Sequence, residues 1–319
     1  MQKICVYGVG AIGGLLAARL ALSGQTITGI ARGAQLKAIQ ANGLTLQADG
    51  QRNNVPLSCT PDPVAAGPQD VIFVTLKSHA LPANADQLLP LIGPDTVVVS
   101  VANGFPWWYF HGTKADHPEP LDSVDPGGRL WRTIGPERAI GAVVFPAART
   151  LQPGVVEHVF GDRLVIGEPD GRLSKRVQAL AAILMAAGFD APVTDDIRAV
   201  IWAKLIANAA YNPVSLLTGG TLGDMLDDHD TLGQIKSIMN ECVAVAAALD
   251  VTPAMTPEAL LEGTRQLGGH KTSMLQDYES GRSLEFAPIA GAVVELGQRY
   301  GVLTPTLDQV IERVRSKVR

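Results

Sequence analysis

The sequence contains little cysteine, and its three cysteines, Cys5, Cys59 and Cys242, are scattered along 319 residues. None of them belongs to a CxxC pair, so the pattern excludes a disulfide framework and a cysteine-based zinc site. We therefore expect no bound metal. Unpaired cysteines persist in a reducing compartment, which indicates a cytoplasmic protein.

Long apolar runs and excess positive charge are also lacking. No uninterrupted apolar stretch reaches the length that a membrane span needs. Lys3 and the apolar residues after it resemble a signal peptide, but Arg19 interrupts the run, so we expect neither export nor membrane attachment. The net charge of −5 argues against a nucleic-acid binder. An anionic ligand would have to be held by local cations.

The length, together with 46% apolar residues, suits two domains with substantial cores. Up to residue 194 predicted strands alternate with helices, and β-branched runs at 71–76 and 96–101 are typical of strands buried on both faces. From residue 195 onward apolar residues recur at helical spacing. We predict an α/β Rossmann-like dinucleotide-binding domain with an open parallel sheet at 1–194, and an all-α domain at 195–319. Further predicted strands are 139–145, 155–159, 164–166 and 192–194, and predicted helices are 173–187, 197–212, 233–249, 257–267, 286–300 and 305–318.

The most informative motif is a G-x-G-x-x-G sequence between a predicted strand at 3–7 and a predicted helix at 12–23. A second strand follows at 26–30, which completes a βαβ unit of the length that dinucleotide folds use. The first glycine permits the tight turn, the second lets the backbone approach a pyrophosphate, and the third lets helix and strand pack closely. Free N–H groups at the start of the helix would face the phosphates. The three glycines are Gly8, Gly10 and Gly13.

The end of the second strand indicates which dinucleotide is bound. Strands at this position usually end with an acidic residue that holds the ribose 2′-hydroxyl of NAD. Here the strand is followed by Ala31 and Arg32, with no acid. The guanidinium of Arg32 could pair with the 2′-phosphate of NADP, which favours NADP over NAD. The alternative is an ordinary surface arginine.

Residues 105–137 interrupt the alternating pattern. They are rich in proline, glycine and aromatic residues, beginning FPWWYFHG and continuing to Trp131. A loop of this length without secondary structure is usually functional or disordered, and so many aromatic rings fit disorder poorly. We predict a folded excursion within the first domain. Its role could be that of a lid, a dimer contact or a surface cover. A homodimer is therefore one possible assembly.

A second motif places polar groups in an apolar helix, WAKLIANAAYNP. Lys204, Asn208 and Asn212 are spaced four apart, so they share nearly one helical face. Buried polar groups need partners, and desolvating an ammonium is especially unfavourable. A polar network that ties helices together would be the structural alternative. A functional lysine that faces a cleft is the interpretation we favour.

Four other segments could contribute to the same site. Lys77 and Asn103 each follow a predicted buried strand at its carboxyl end, where open α/β sheets bind ligands. Ser273 and Glu285, late in the chain, offer a hydroxyl and a carboxylate. Each has a plain alternative: a solvated lysine, an Asn-Gly turn, or a carboxylate that stabilises a helix N-terminus.

Taken in order, GVGAIGG, TLKS, NG, WAKLIANAAYNP, SMLQD and SLEF resemble the 2-dehydropantoate 2-reductase (ketopantoate reductase) family. The resemblance covers both predicted domains, and its most specific parts are the lysine helix and SMLQD. It implies a Rossmann domain, a helical domain like that of 6-phosphogluconate dehydrogenase, and an active site in the cleft between them. It also implies NADPH-dependent reduction of 2-dehydropantoate to (R)-pantoate, a step toward pantothenate and coenzyme A.

The resemblance also assigns roles. Lys204 matches the catalytic lysine, expected to protonate the substrate oxygen, and Glu285 matches a glutamate of the catalytic site. Matching substrate-binding positions are Asn103, Asn208, Asn212 and Ser273. Matching cofactor positions are Gly8, Gly10, Ala11, Ile12, Gly13, Arg32, Lys77 and Asn103.

Three features depart from the family pattern: the aromatic insertion, His270 ahead of SMLQD, and Leu222 after the NP pair. His270 and Leu222 lie where the resemblance places substrate recognition, so a bulkier or differently substituted 2-oxo acid is an alternative substrate. A non-catalytic NADPH-binding sensor is the alternative from another class, although the intact lysine and glutamate argue against it. A hydrolase has little support, because no G-x-S-x-G elbow is present.

Overall fold

A seven-stranded sheet forms the centre of the first structural unit, in the order β11-β8-β7-β6-β1-β2-β5. The computed structural model describes residues 2–115 and 118–318. Neighbouring strands run parallel except β11, which pairs antiparallel with β8. The strands of the chain are β1 Lys3–Tyr7, β2 Thr26–Ile30, β3 Leu44–Ala48, β4 Gln51–Val55, β5 Ser58–Thr60, β6 Gln69–Val74, β7 Ile92–Ser100, β8 Ala139–Val144, β9 Ala147–Gln152, β10 Val155–Phe160 and β11 Leu164–Gly167.

Some helices begin at residues whose side chains cap the first turn. Ser174 caps α6 by accepting from the Val177 amide, and Thr221 forms a capping box with Asp224 at α8. The helices are α1 Ala11–Leu22, α2 Gly33–Asn42, α3 Pro63–Ala66, α4 Ala85–Leu88, α5 Arg129–Ile134, α6 Lys175–Ala186, α7 Ile197–Thr218, α8 Leu222–Asp227, α9 His229–Ala247, α10 Pro257–Arg265, α11 Ser273–Glu279, α12 Ala292–Tyr300 and α13 Pro305–Lys317.

A second, four-stranded sheet lies on the other side of α1, in the order β4-β3-β10-β9. Helix α1 contacts β1 and β2 as well as β3, β9 and β10. Gly14 makes this approach feasible, since a β-carbon there would lie 2.5 Å from a methyl carbon of Val156. The sequence pattern does not predict this sheet, because β4, with the sequence QRNNV, carries few apolar residues. The prediction of a wholly parallel sheet is wrong at β11, which runs antiparallel to β8. The strand predicted at 192–194 is only an isolated bridge at Val193.

Most of the aromatic excursion belongs to the helical unit, while 111–113 and 129–137 belong to the first unit. Among the described residues, the first unit contains 2–102, 111–113 and 129–197, and the second contains 103–110, 114–115, 118–128 and 198–318. Our expectation placed the whole of 105–137 in the nucleotide-binding domain, within which Asp116 and His117 lie outside the described residues. The difference has a physical reason: Phe105 and Tyr109 pack on residues of α7, as described below.

The helical unit contains α7 from Arg198 onward and α8 to α13. Helix α9 is the central helix of this unit, and α8, α10, α12 and α13 all contact it. Its apolar face is completely buried at Ile235, Ile238 and Met239. The predicted helix at 286–300 is divided: residues 287–291 form a π-helical turn, and α12 follows. Within the described residues no helix is long and apolar enough to span a bilayer.

Candidate active site

The glycine turn after β1 has the geometry that its spacing predicts. Gly8 has φ +106°, which side chains rarely adopt, and its amide donates to the Ile30 carbonyl at 3.0 Å. At Gly13 a β-carbon would lie 2.1 Å from the Gly8 carbonyl oxygen, so only glycine fits. The Thr75 hydroxyl donates to the same carbonyl at 2.5 Å. The end of β6 is thereby joined to the turn.

Gly10, by contrast, faces open space. A β-carbon built there would meet no atom within 4 Å. Gly10 is also the N-cap residue of α1, and Ala11 and Ile12 form its first turn. The first N–H groups of a helix have no partner within the helix, and the helix dipole favours an anion there. The turn therefore fits a dinucleotide, whose pyrophosphate could approach the open backbone at Gly10.

Arg32 lies at the same sheet edge, directly after β2, and is the exposed N-cap residue of α2. Its Nη2 atom donates to Oε1 of Gln87. The Tyr7 hydroxyl donates to this same oxygen at 3.1 Å, and burial raises the pKa of Tyr7 above its ordinary value. Lys77 follows Thr75 by two residues and precedes a short helical turn at Ser78–Ala80. The structure thus brings the glycine turn, Arg32 and the β6 end to one edge of this unit.

In the second unit α7 carries the lysine face. Lys204 is only partly exposed, and this burial lowers the pKa of its ammonium to about 8, while the negative charge of Glu285 acts in the opposite direction. An amine with this pKa is protonated in a large fraction near neutral pH and can still lose its proton readily. Such an amine can act as a general acid.

Asn212, two turns along α7 from Lys204, has a buried donor. Its side chain is 3% exposed, and Nδ2 has no hydrogen-bond partner within the described parts of the chain. A buried donor without a partner is unfavourable in a folded protein, and such groups are rare enough to require an explanation. Asn208, between the two residues, is partly buried. The amide of Asn212 is therefore available to an acceptor brought by a ligand.

Ser273 is joined to α7 through a residue pair that sequence reasoning missed. The hydroxyls of Ser215 and Thr272 lie 2.6 Å apart in a buried position. Thr272 also caps α11 by accepting from the Leu275 amide at 3.1 Å, and Ser273 is the first residue of that helix. The Thr-Ser pair ahead of an apolar run is an N-cap signature that could have located this helix start.

Glu285 directly precedes an irregular helix. The Gly291 amide donates to the Phe286 carbonyl at 3.2 Å, a five-residue step that defines the π turn. Single π turns often occur at functional sites. Asn103, predicted to contact both substrate and cofactor, groups with the helical unit by its contacts. Two of the three departures from the family pattern, Leu222 and His270, are neighbours in that unit, because the Leu222 amide donates to the His270 carbonyl at 2.8 Å.

A Rossmann-like unit with an open glycine turn, together with a helical unit that carries a lysine whose pKa responds to the charge of a glutamate, is typical of an oxidoreductase. No cluster of metal-binding side chains occurs in residues 2–115 or 118–318. The chain belongs to the ketopantoate reductase PanE/ApbA family. The family model for the first part matches residues 4–171, and the model for the C-terminal part matches residues 196–318.

Individual relatives agree with this membership. A 2-dehydropantoate 2-reductase from Mesorhizobium japonicum is 45% identical, over 98% of this chain and 97% of that protein. A crystal structure from Ralstonia solanacearum MolK2, provisionally named a ketopantoate reductase, has a TM-score of 0.94 and 41% identity, covering 99% of this chain and 97% of its own. The 2-dehydropantoate 2-reductase from Geobacter metallireducens GS-15 has a TM-score of 0.86 and 27% identity, covering 99% of each chain.

Proposed function

We propose that this chain reduces 2-dehydropantoate to (R)-pantoate with NADPH, a step toward pantothenate and coenzyme A. The observation that carries the proposal is the partly buried Lys204, whose pKa burial lowers to about 8 in the field of Glu285. When bound, the cofactor supplies the hydride that reduces the C2 carbonyl carbon. The names of the relatives support this substrate.

Lys204 acts on the oxygen of that carbonyl. Its ammonium donates a hydrogen bond to the oxygen and then transfers a proton as negative charge develops there. A positioned general acid contributes roughly 10²–10⁴-fold to the rate. The positive charge also stabilises the developing alkoxide, and this effect is larger in a site that excludes water.

The neighbouring groups hold the substrate. Glu285 keeps Lys204 protonated and orients it, or accepts a hydrogen bond from the substrate hydroxyl. Asn212 donates its buried amide N–H to the carboxylate, which removes an unsatisfied donor. Asn103, Asn208 and Ser273 supply the other polar contacts in this proposal.

The first unit holds the cofactor. The open backbone at Gly10, with the start of α1, binds the pyrophosphate. Arg32 pairs with the 2′-phosphate, and Lys77 adds positive charge at the same edge. A charge-assisted contact of this kind is worth about 1.5–3 kcal/mol, which corresponds to roughly 10–100-fold in affinity for NADPH over NADH.

The test is NADPH oxidation with ketopantoate, a panel of bulkier 2-oxo acids, and NADH in place of NADPH. We expect rapid turnover of ketopantoate with NADPH, and at least a hundredfold loss for Lys204→Ala. In Arg32→Ala the KM for NADPH should rise while that for NADH stays constant. Arg52→Ala, an exposed arginine on β4, is the matched control.

One observation favours a second candidate within the same chemistry. Leu222 and His270, which depart from the family pattern, adjoin each other through a backbone hydrogen bond. If they shape the substrate end of the site, the chain would prefer a bulkier 2-oxo acid. Faster turnover of such an acid than of ketopantoate would support that substrate. Absence of turnover with every 2-oxo acid would exclude both reductases and leave the NADPH-binding sensor.

A further inference from the structure

Residues 103–110, which we name the aromatic brace, connect the two elements that carry Lys204 and Glu285. All of its aromatic side chains are buried, with Trp108 and Tyr109 each 1% exposed. One end of the brace is hydrogen-bonded to the segment after Glu285. The other end is hydrogen-bonded to the first turns of α7. The family resemblance assigns no role to these rings.

The contact with the Glu285 segment runs through the backbone. The Phe105 amide donates to the Pro288 carbonyl at 2.7 Å. Gly104 has φ +98°, and a β-carbon at this position would lie 2.5 Å from the same carbonyl oxygen. Pro288 belongs to the π turn that begins two residues after Glu285. The position of this turn therefore depends on the brace.

The contact with α7 is made by Tyr109. Its hydroxyl accepts a hydrogen bond from Nε1 of Trp202 at 2.7 Å. Its carbonyl oxygen accepts from Nε and Nη2 of Arg198 at 3.1 and 2.7 Å, and the Arg198 guanidinium lies over the tyrosine ring at 5.2 Å. Arg198 and Trp202 are one turn apart on α7, and Lys204 follows Trp202 by two residues.

Phe105 closes the connection between the two ends. Its ring lies 4.2 Å from the Tyr109 ring and 6.4 Å from the Trp202 ring, the latter edge to face. Phe105, whose amide is hydrogen-bonded to Pro288, thus packs on Tyr109, which is hydrogen-bonded to α7. Closely packed aromatic side chains have few alternative rotamers. A shift of the π turn would therefore move the brace and, through it, α7.

We propose that Tyr109 is a positioning residue for the Lys204–Glu285 pair, which it holds through Trp202 on α7 and through the Phe105–Pro288 contact on the π turn. The inference rests on the proposed function for its kinetic readout only. Removing the Tyr109 hydroxyl leaves the buried Trp202 N–H without its acceptor, so the local packing must relax. Water then reaches Lys204 more easily, and its distance from Glu285 becomes variable.

The experiment compares wild-type protein with Tyr109→Phe and uses Tyr278→Phe as the matched control. Tyr278 is a 37% exposed tyrosine on α11. Lysine labelled with ¹³C at Cε reports the Lys204 titration directly by NMR, and the resonance is assigned with Lys204→Arg. Burial has the larger effect on the pKa of Lys204, and Glu285 acts in the opposite direction. Loosening the brace lets water reach the ammonium, so the net effect should be a rise in this pKa, even though a weaker influence of Glu285 opposes it.

In Tyr109→Phe we expect kcat to fall roughly 10-fold or more with little change in KM, and the alkaline limb of the kcat–pH profile to move with the NMR titration. Trp202→Phe should do the same, and the double variant should be no worse than either single one. Unchanged Lys204 titration and unchanged kcat in a folded Tyr109→Phe protein would overturn the proposal. A shifted titration in a protein that reduces no 2-oxo acid would support the brace and refute the proposed function.

Discussion

Glu285 and burial act in opposite directions on the ammonium of Lys204. Burial lowers the pKa to about 8, and the carboxylate of Glu285 raises it. The pKa of Lys204 thus depends both on burial and on a residue that lies 81 positions further along the chain. Substituting each of the two residues should have a different effect.

Glu285→Gln removes the charge and keeps the shape of the side chain. The pKa of Lys204 should fall below the wild-type value of about 8, since only the effect of burial remains. In the proposed mechanism reduction needs the protonated lysine, so we expect activity below this pKa and its loss as pH rises through it. The loss should begin at a lower pH in Glu285→Gln than in wild type, as a kcat–pH profile will show. Coincident profiles would contradict a coupled pair.

Lys204→Met should abolish reduction and stabilise the fold. The pKa of Lys204 is lowered on folding, so its charged form destabilises the folded state at neutral pH, and this effect is relieved as pH rises from about 8 toward the ordinary lysine value. We expect a gain of about 1–2 kcal/mol in urea unfolding at pH 7, in line with the usual conflict between stability and activity. The gain should shrink above about pH 8.

Gly10→Ala and Gly13→Ala form a matched pair within one turn. At Gly13 a β-carbon would lie 2.1 Å from the Gly8 carbonyl, whereas at Gly10 it would meet nothing within 4 Å. Gly13→Ala should therefore lose about 3 kcal/mol or more of stability by thermal unfolding. Gly10→Ala should unfold like wild type but bind NADPH at least about 10-fold more weakly, measured by fluorescence titration. Wild-type NADPH affinity in Gly10→Ala would contradict the role of the open face at Gly10 in binding.

Asn212→Leu and Ser215→Ala separate ligand binding from packing on α7. The Asn212 amide is buried without a partner in the described structure, so replacing it with leucine should leave the unfolding free energy nearly unchanged and raise the KM for ketopantoate. Ser215→Ala deprives Thr272 of its 2.6 Å contact, which should cost about 1–3 kcal/mol in urea unfolding. A large stability loss in Asn212→Leu would instead indicate a structural amide.

The glycine turn and the lysine helix could be predicted from the sequence because each depends on the spacing of residues that are close together in the chain. The spacing of Gly8, Gly10 and Gly13 specifies a turn, and the spacing of Lys204, Asn208 and Asn212 specifies one helical face. Family comparison confirms the Rossmann-like and helical organisation that these motifs predicted. The assigned roles of these residues stay predictions.

Contacts between residues far apart in the chain could not be predicted from the sequence in the same way. The Ser215–Thr272 contact joins residues 57 positions apart, and the Tyr109–Trp202 contact joins residues 93 positions apart. Neither pair has a periodic pattern that would reveal its partner. The placement of the aromatic segment also depended on such contacts, which is why the sequence suggested the other unit.

The position of α1 between two sheets has a consequence for binding. Gly14 lets this helix lie against Val156 of β10 while its other side covers β1 and β2. The amino-terminal part of α1 is thus packed against protein without any bound nucleotide. A phosphate bound there restricts little conformational freedom of the protein, so more of the interaction energy is retained as affinity.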